Sequence, residues 1–169
     1  MMAYRIAYCK INYPLAYYAA YFGIRADAFS YEIMCQGKEK LNYYIQDYKK
    51  RSDTLSKKEQ DVMKDMKIVQ EFYARGFEFL KIDLYQSDAI KFQVVEGKLL
   101  PPFSVIEGMG GIAAEALALA AKDGPFISKD DIAGRAKVSR STLDVMGELG
   151  LLGDLPESNQ LSIFDLKIG

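Results

Sequence analysis

The sequence predicts a mostly α-helical protein with a small β connector past its middle and an extended C-terminal tail. Three observations carry this. Helical spacing of apolar residues, punctuated by capping signals, fills the stretches before Gly76 and after Ser104, while the residues between them alternate with the two-residue period of a strand. After Leu155 the chain turns polar at Pro156-Glu157-Ser158-Asn159 and then carries a short apolar peptide.

Residues 1 to 10 read as the tail of a helix, because they begin in apolar sequence with no capping residue before them; the start looks cut from something longer. Pro14 opens the next helix in its first turn, where the missing N–H costs nothing, and Leu15 to Ile24 is apolar on nearly every face. Such a helix is buried or awaits a partner. Most of the twelve tyrosines precede residue 49, and Tyr13, Tyr17, Tyr18 and Tyr21 are read as core, large apolar bodies with a polar tip. Tyr31 to Tyr48 continues helical, Ser52-Asp53 marks a turn, and Ser56-Lys57-Lys58-Glu59 is a capping box for a helix running to about Ala74, closed by Gly76. The basic runs Lys49-Lys50-Arg51 and Lys57-Lys58 read first as solvated surface, with a phosphate contact there as the lesser alternative.

Past Gly76 the alternation Phe77, Phe79, Leu80, Ile82, Leu84 gives a strand-like stretch. Residues 92 to 100 give a hairpin with Glu96-Gly97-Lys98 as its turn, stopped by Pro101-Pro102. Three short helices follow near residues 111–122, 128–136 and 139–149.

A chain of 169 residues that is 50% apolar can bury one good core or two small ones. Its net charge of −1 announces no nucleic-acid binder, although residues 1–100 lean basic and residues 101–169 lean acidic. Cys9 and Cys35 have no metal-ligand spacing and there is no histidine, so both are expected as reduced, buried side chains. The start shows no signal-peptide pattern, and no uncharged apolar run approaches the roughly 20 residues of a membrane span. A cytoplasmic protein without a membrane partner is expected. Phosphate-binding Walker loops, zinc spacings, nucleophile elbows and catalytic carboxylate clusters are missing from the sequence; Asp130-Asp131 follows Ser128 in a first helical turn, where acids complement the helix dipole.

The stretch that carries chemistry is Val105-Ile106-Glu107-Gly108-Met109-Gly110-Gly111. Two glycines flanking one apolar residue let the backbone turn sharply and come close to a ligand, while Met109 plugs the turn into the core. Free N–H groups at the following helix start form an anion site without side-chain charge. The pattern resembles the hairpin of helix-hairpin-helix modules, which grip duplex DNA by its phosphates without reading sequence. That resemblance implies DNA contacts at Gly108, Met109, Gly110 and Gly111. A weaker second copy, Lys137-Val138-Ser139-Arg140-Ser141-Thr142, lacks the glycines, so Ser139 and Arg140 are expected to contact DNA through their side chains. Gly150-Leu151-Leu152-Gly153-Asp154 closes its helix.

Gln160-Leu161-Ser162-Ile163-Phe164 is similar to the peptide by which bacterial replication proteins dock on the ring-shaped sliding clamp, with Ile163 standing where leucine is commoner and Asp165 to Gly169 extending past the Phe. Read in order, Arg5-Ile6-Ala7-Tyr8, Tyr13-Pro14, Tyr17 to Phe22, Arg25-Ala26-Asp27, Arg75-Gly76-Phe77, Asp83 to Ser87, Pro101-Pro102-Phe103, Gly108-Met109-Gly110 and Gln160 to Phe164 resemble the C-terminal end of the PolC-type alpha subunit of bacterial DNA polymerase III.

The resemblance implies four parts: residues 1–76 as the end of the fingers domain, 77–103 as a strand-containing connector, 104–155 as a tandem helix-hairpin-helix domain, and 156–169 as a clamp-binding tail. It further implies duplex DNA, the sliding clamp and the remainder of the alpha subunit as partners. The family's palm carboxylates, which hold Mg2+ in the full polymerase, are not among these residues, so the chain alone is expected to hold no cofactor and to be inactive in nucleotidyl transfer. A stand-alone DNA-binding adaptor with the same module and tail is the alternative, and a helical interaction protein with no DNA role is a third reading.

Overall fold

A computed structural model describes residues 2–158. The motif Gln160 to Phe164 and the extension Asp165 to Gly169 lie outside the described residues. The described chain is mostly helical: α1 (Met2–Asn12), α2 (Pro14–Ile24), α3 (Tyr31–Met34), α4 (Lys38–Lys50) and α5 (Lys57–Ala74) precede a two-stranded antiparallel hairpin, β1 (Gln93–Val95) with β2 (Lys98–Leu100). Then come α6 (Gly111–Lys122), α7 (Lys129–Ala136) and α8 (Arg140–Glu148).

Local chemistry sets several of these boundaries. Pro14 occupies the first turn of α2. The Ser56 side chain accepts from the Glu59 N–H while Glu59 accepts from the Ser56 N–H at 2.8 Å, a reciprocal cap that holds the Glu59 carboxyl below its ordinary range. Gly76, at φ +83°, lets the chain leave α5 in the left-handed region.

Other expectations are corrected. The helix expected over residues 31–48 is broken: α3 stops at Met34, and Gly37, at φ +101°, restarts the chain as α4. The stretch from Phe77 to Leu84 makes one parallel bridge rather than a strand, with Leu80 N–H donating to Leu99 O at 2.7 Å and Leu99 N–H to Glu78 O at 3.1 Å. It ends because the Asp83 carboxylate accepts from the amides of Tyr85 and Gln86 and turns the chain. The hairpin turn is Glu96-Gly97 alone, both left-handed, so Lys98 belongs to β2 opposite Val95. Cys9 is exposed, not buried, and Cys35 is partly exposed, although burial around its thiol pushes the pKa well up.

Apolar sequence on every face of α2 also overstates its burial: only Tyr18 and Phe22 are buried, and Ile24 is 87% exposed. Those two rings join Phe29, Phe72, Phe79 and Phe92 in an aromatic cluster linking α2 and α5 to the hairpin. The buried set continues through Phe103, Val105, Ile106 and Met109 to Leu117, Ile132, Leu143 and Met146, so one core seats the turn at Gly108.

Candidate nucleic-acid interface

Two turns with the same backbone form, 29 residues apart in sequence, make up the candidate interface. In the first, Gly108 is left-handed at φ +79°, Met109 is buried at 6% exposure, and Gly110 caps α6 with φ −74° and ψ 159°. In the second, Lys137 is left-handed at φ +52°, Val138 is buried at 4% exposure, and Ser139 caps α8 with φ −67° and ψ 152°. Each apolar centre plugs its turn into the core, and each third residue aims a helix start outward.

The two turns differ in what occupies those helix starts. No side chain caps α6 and its first turn carries no acid, so among the described residues no capping side chain occupies the amides that follow Gly110. At α8 the Ser139 hydroxyl already accepts from the Thr142 N–H at 3.2 Å. Arg140 Nη1 donates to Asp130 Oδ1 at 2.6 Å, although the Arg140 side chain is largely exposed. The expectation that Ser139 and Arg140 contact DNA through their side chains therefore meets internal partners for both. Asp130, read as a helix-dipole acid, holds Arg140, and Asp131 accepts from Ile127 N–H and Arg135.

Only one of the two glycines is needed for backbone reasons. A Cβ on Gly108 would meet Thr142 Oγ1 at 3.1 Å in a conformation that L residues rarely adopt, whereas Gly110 has ordinary angles and nothing within 4 Å. Thr142, which the sequence reading placed in the second copy without a role of its own, donates from Oγ1 to Gly108 O at 3.2 Å and lies 2.7 Å from Ser139 Oγ. That buried hydroxyl clips the two turns together. Its one sequence signal was its place three residues after a capping serine.

A cleft of about 680 Å³ opens beside the first turn, bounded by Gly108 to Gly111, Tyr48, Lys58, Asp27 and Glu32. Glu32 Oε1 accepts from the Glu107 N–H at 3.2 Å, tying the α3 region to the turn. The beginning of the expected tail also packs back: Pro156 O accepts from Lys129 N–H at 2.9 Å, Glu157 O from Asp130 N–H at 3.1 Å, and Lys129 pairs with the Glu157 carboxylate. Among the described residues, no cluster of three or more His, Cys, Asp or Glu could hold a metal ion, and no helix is long and apolar enough to cross a membrane.

A helix-hairpin-helix motif matches residues 76–161, just over half of the 169-residue chain. The chain belongs to the helix-hairpin-helix family. Its match takes in both turns of the helix-hairpin-helix module together with the β1–β2 hairpin. Nearly the whole chain is also similar to PolC-type DNA polymerase III: the protein of that name from Caldanaerobacter subterraneus subsp. tengcongensis is 43% identical over 164 residues. The Streptococcus pyogenes protein of the same name is 41% identical over 167 residues. These matches cover 97% and 98% of this chain, but only 12% and 11% of the two relatives, respectively.

Proposed function

We propose that this chain is the part of a bacterial replicative DNA polymerase that holds product duplex without sequence preference and tethers the enzyme to the sliding clamp. The observation that carries the duplex reading is the uncapped start of α6 beyond the buried Met109 plug. Open backbone amides suit a phosphate oxygen and need no side-chain charge, which fits a module of acidic balance. Lacking base-reading side chains, such a grip positions the duplex and does not specify sequence.

The clamp reading rests on Gln160-Leu161-Ser162-Ile163-Phe164 as sequence. An extended peptide lays alternate side chains into pockets while its backbone supplies hydrogen bonds. Two weak contacts on one chain raise each other's effective concentration, so together they hold DNA and clamp longer than either alone. On this reading the protein works in the cytoplasm. The remainder of the polymerase chain covers the groove of about 440 Å³ between α1 and α2, lined by Met2, Ile6, Tyr13, Ala16 and Ala20.

Gly110→Asp tests the duplex reading. The new carboxylate costs nothing in backbone conformation, since nothing lies within 4 Å of the added Cβ. As a helix cap it holds stability level or raises it by about 0.5 kcal/mol. It also fills and charges the site where phosphate sits, so duplex affinity drops at least about tenfold, a cost of about 1.4 kcal/mol. Anisotropy titrations with unrelated duplexes measure this, and undiminished binding by the folded variant refutes the amide grip.

A peptide spanning Glu157 to Asp165 tests the tail. A flexible peptide loses freedom on docking, so micromolar affinity is expected, about −7 to −8 kcal/mol. Phe164→Ala costs about 2 kcal/mol as a buried anchor, and Ser162→Ala little. Calorimetry against the purified clamp decides it; equal binding by the Phe164→Ala peptide ends the clamp reading.

A further inference from the structure

We propose that Lys57 and Lys58 form a second phosphate contact, continuing the duplex path that begins at the turn from Gly108 to Gly111; this rests on the duplex-binding reading above. Lys58 and the glycine turn border the same cleft, although they lie about fifty positions apart in sequence. Both lysines are exposed, and among the described residues neither makes an ion pair. Their neighbours are spoken for: Arg51 pairs with Asp47 and Glu59, and Glu59 caps Ser56.

Position makes the pair unfavourable for folding alone. Lys57 and Lys58 open α5, where the helix dipole disfavours cations; the nearby acids offset them only in part, since Glu59 already serves Ser56 and Arg51 and Asp61 pairs with Lys64. An anion supplied from outside would reverse that sign. The cleft itself repels phosphate, because Asp27, Glu32 and Glu107 border it. A volume of about 680 Å³ is also of small-ligand size. A duplex therefore spans the mouth, touching amides on the glycine turn and ammonium groups at the start of α5.

The experiment is duplex binding by the full chain across a salt series, comparing wild type with Lys57→Gln/Lys58→Gln. Loss of two phosphate contacts lowers the slope of log K against log salt by about 0.9 per lysine. The control is Lys67→Gln/Lys122→Gln, which has the same net charge with both changes about 15 Å along α5 and α6 from the proposed path. It is expected to keep the wild-type slope. Thermal melts of the Lys57/Lys58 variant should stay level or rise, since unfavourable first-turn cations are gone. A slope equal to that of the control overturns the lysine contact. If Gly110→Asp weakens binding while the Lys57/Lys58 variant matches the control, this inference fails alone; if wild type binds no duplex, or Gly110→Asp binds unchanged, the duplex reading fails with it.

Discussion

Phe72→Ala should lower the free energy of unfolding by about 3–5 kcal/mol, the range for truncating a buried phenylalanine to alanine. Phe72 is completely buried, with ring centroids of Phe79 at 4.5 Å, Tyr18 at 5.2 Å, Phe77 at 5.5 Å and Phe22 at 6.1 Å. Removing the ring deletes its own transfer free energy and leaves a cavity that other rings, fixed on α2 and on the bridge at Phe79, cannot all close. Because the same core runs on to Met109, the loss should appear in one cooperative transition that includes the turns of the candidate interface. Guanidinium unfolding followed by circular dichroism measures it. A loss under about 1 kcal/mol would mean that the cluster relaxes freely, which conflicts with interiors packed as densely as crystals.

Arg25→Met should cost about 2 kcal/mol at neutral pH and less in acid. Asp65 is fully buried; its Oδ1 accepts from Arg25 Nε at 2.6 Å and its Oδ2 has no partner. Burial pushes the Asp65 carboxyl up, against the pull of the Arg25 guanidinium, which is itself held higher by that bond. Breaking a fully buried pair costs about 3–5 kcal/mol, and the Arg25 side chain is 36% exposed, so solvent screening trims the figure. Without Arg25 the folded pKa of Asp65 rises further above its unfolded value. A raised pKa contributes stability that is present below the unfolded pKa, about 4, and is lost as pH rises through the folded pKa. The deficit relative to wild type should therefore grow from about pH 4 toward neutrality, and Asp65→Asn in the variant background should remove that growth. Urea unfolding at several pH values measures it, and a deficit flat from pH 4 to 8 contradicts the buried-charge account.

Much of the fold was legible because its signals are local. Ser56 and Glu59 cap each other within four residues, Pro14 and Gly76 act through their own dihedrals, and the three helices after Gly110 fall within a residue or so of their expected places. Met109 could be read as the plug of its turn for the same reason: a lone apolar side chain between two glycines has only the core to enter. The same local logic misread the alternation from Phe77 to Leu84, because alternation shows which side chains are buried but not whether a neighbouring strand is there to pair; only Leu99 was.

By itself, then, the sequence determined what depends on neighbours a few residues away: the mostly helical class, the caps, the β1–β2 hairpin and the two turns of the candidate interface. It also carried the likeness to PolC-type polymerases, since that lies in residue order. Tertiary structure decided what depends on groups distant in the chain. It paired Arg140 with Asp130, filled the α8 start with Ser139 while leaving α6 open, clipped Gly108 to Thr142, exposed Cys9, and brought Lys58 to the cleft beside the glycine turn. The physical reason is range. Dihedral preference and capping act over one helical turn, whereas burial and charge pairing are settled only when remote segments meet.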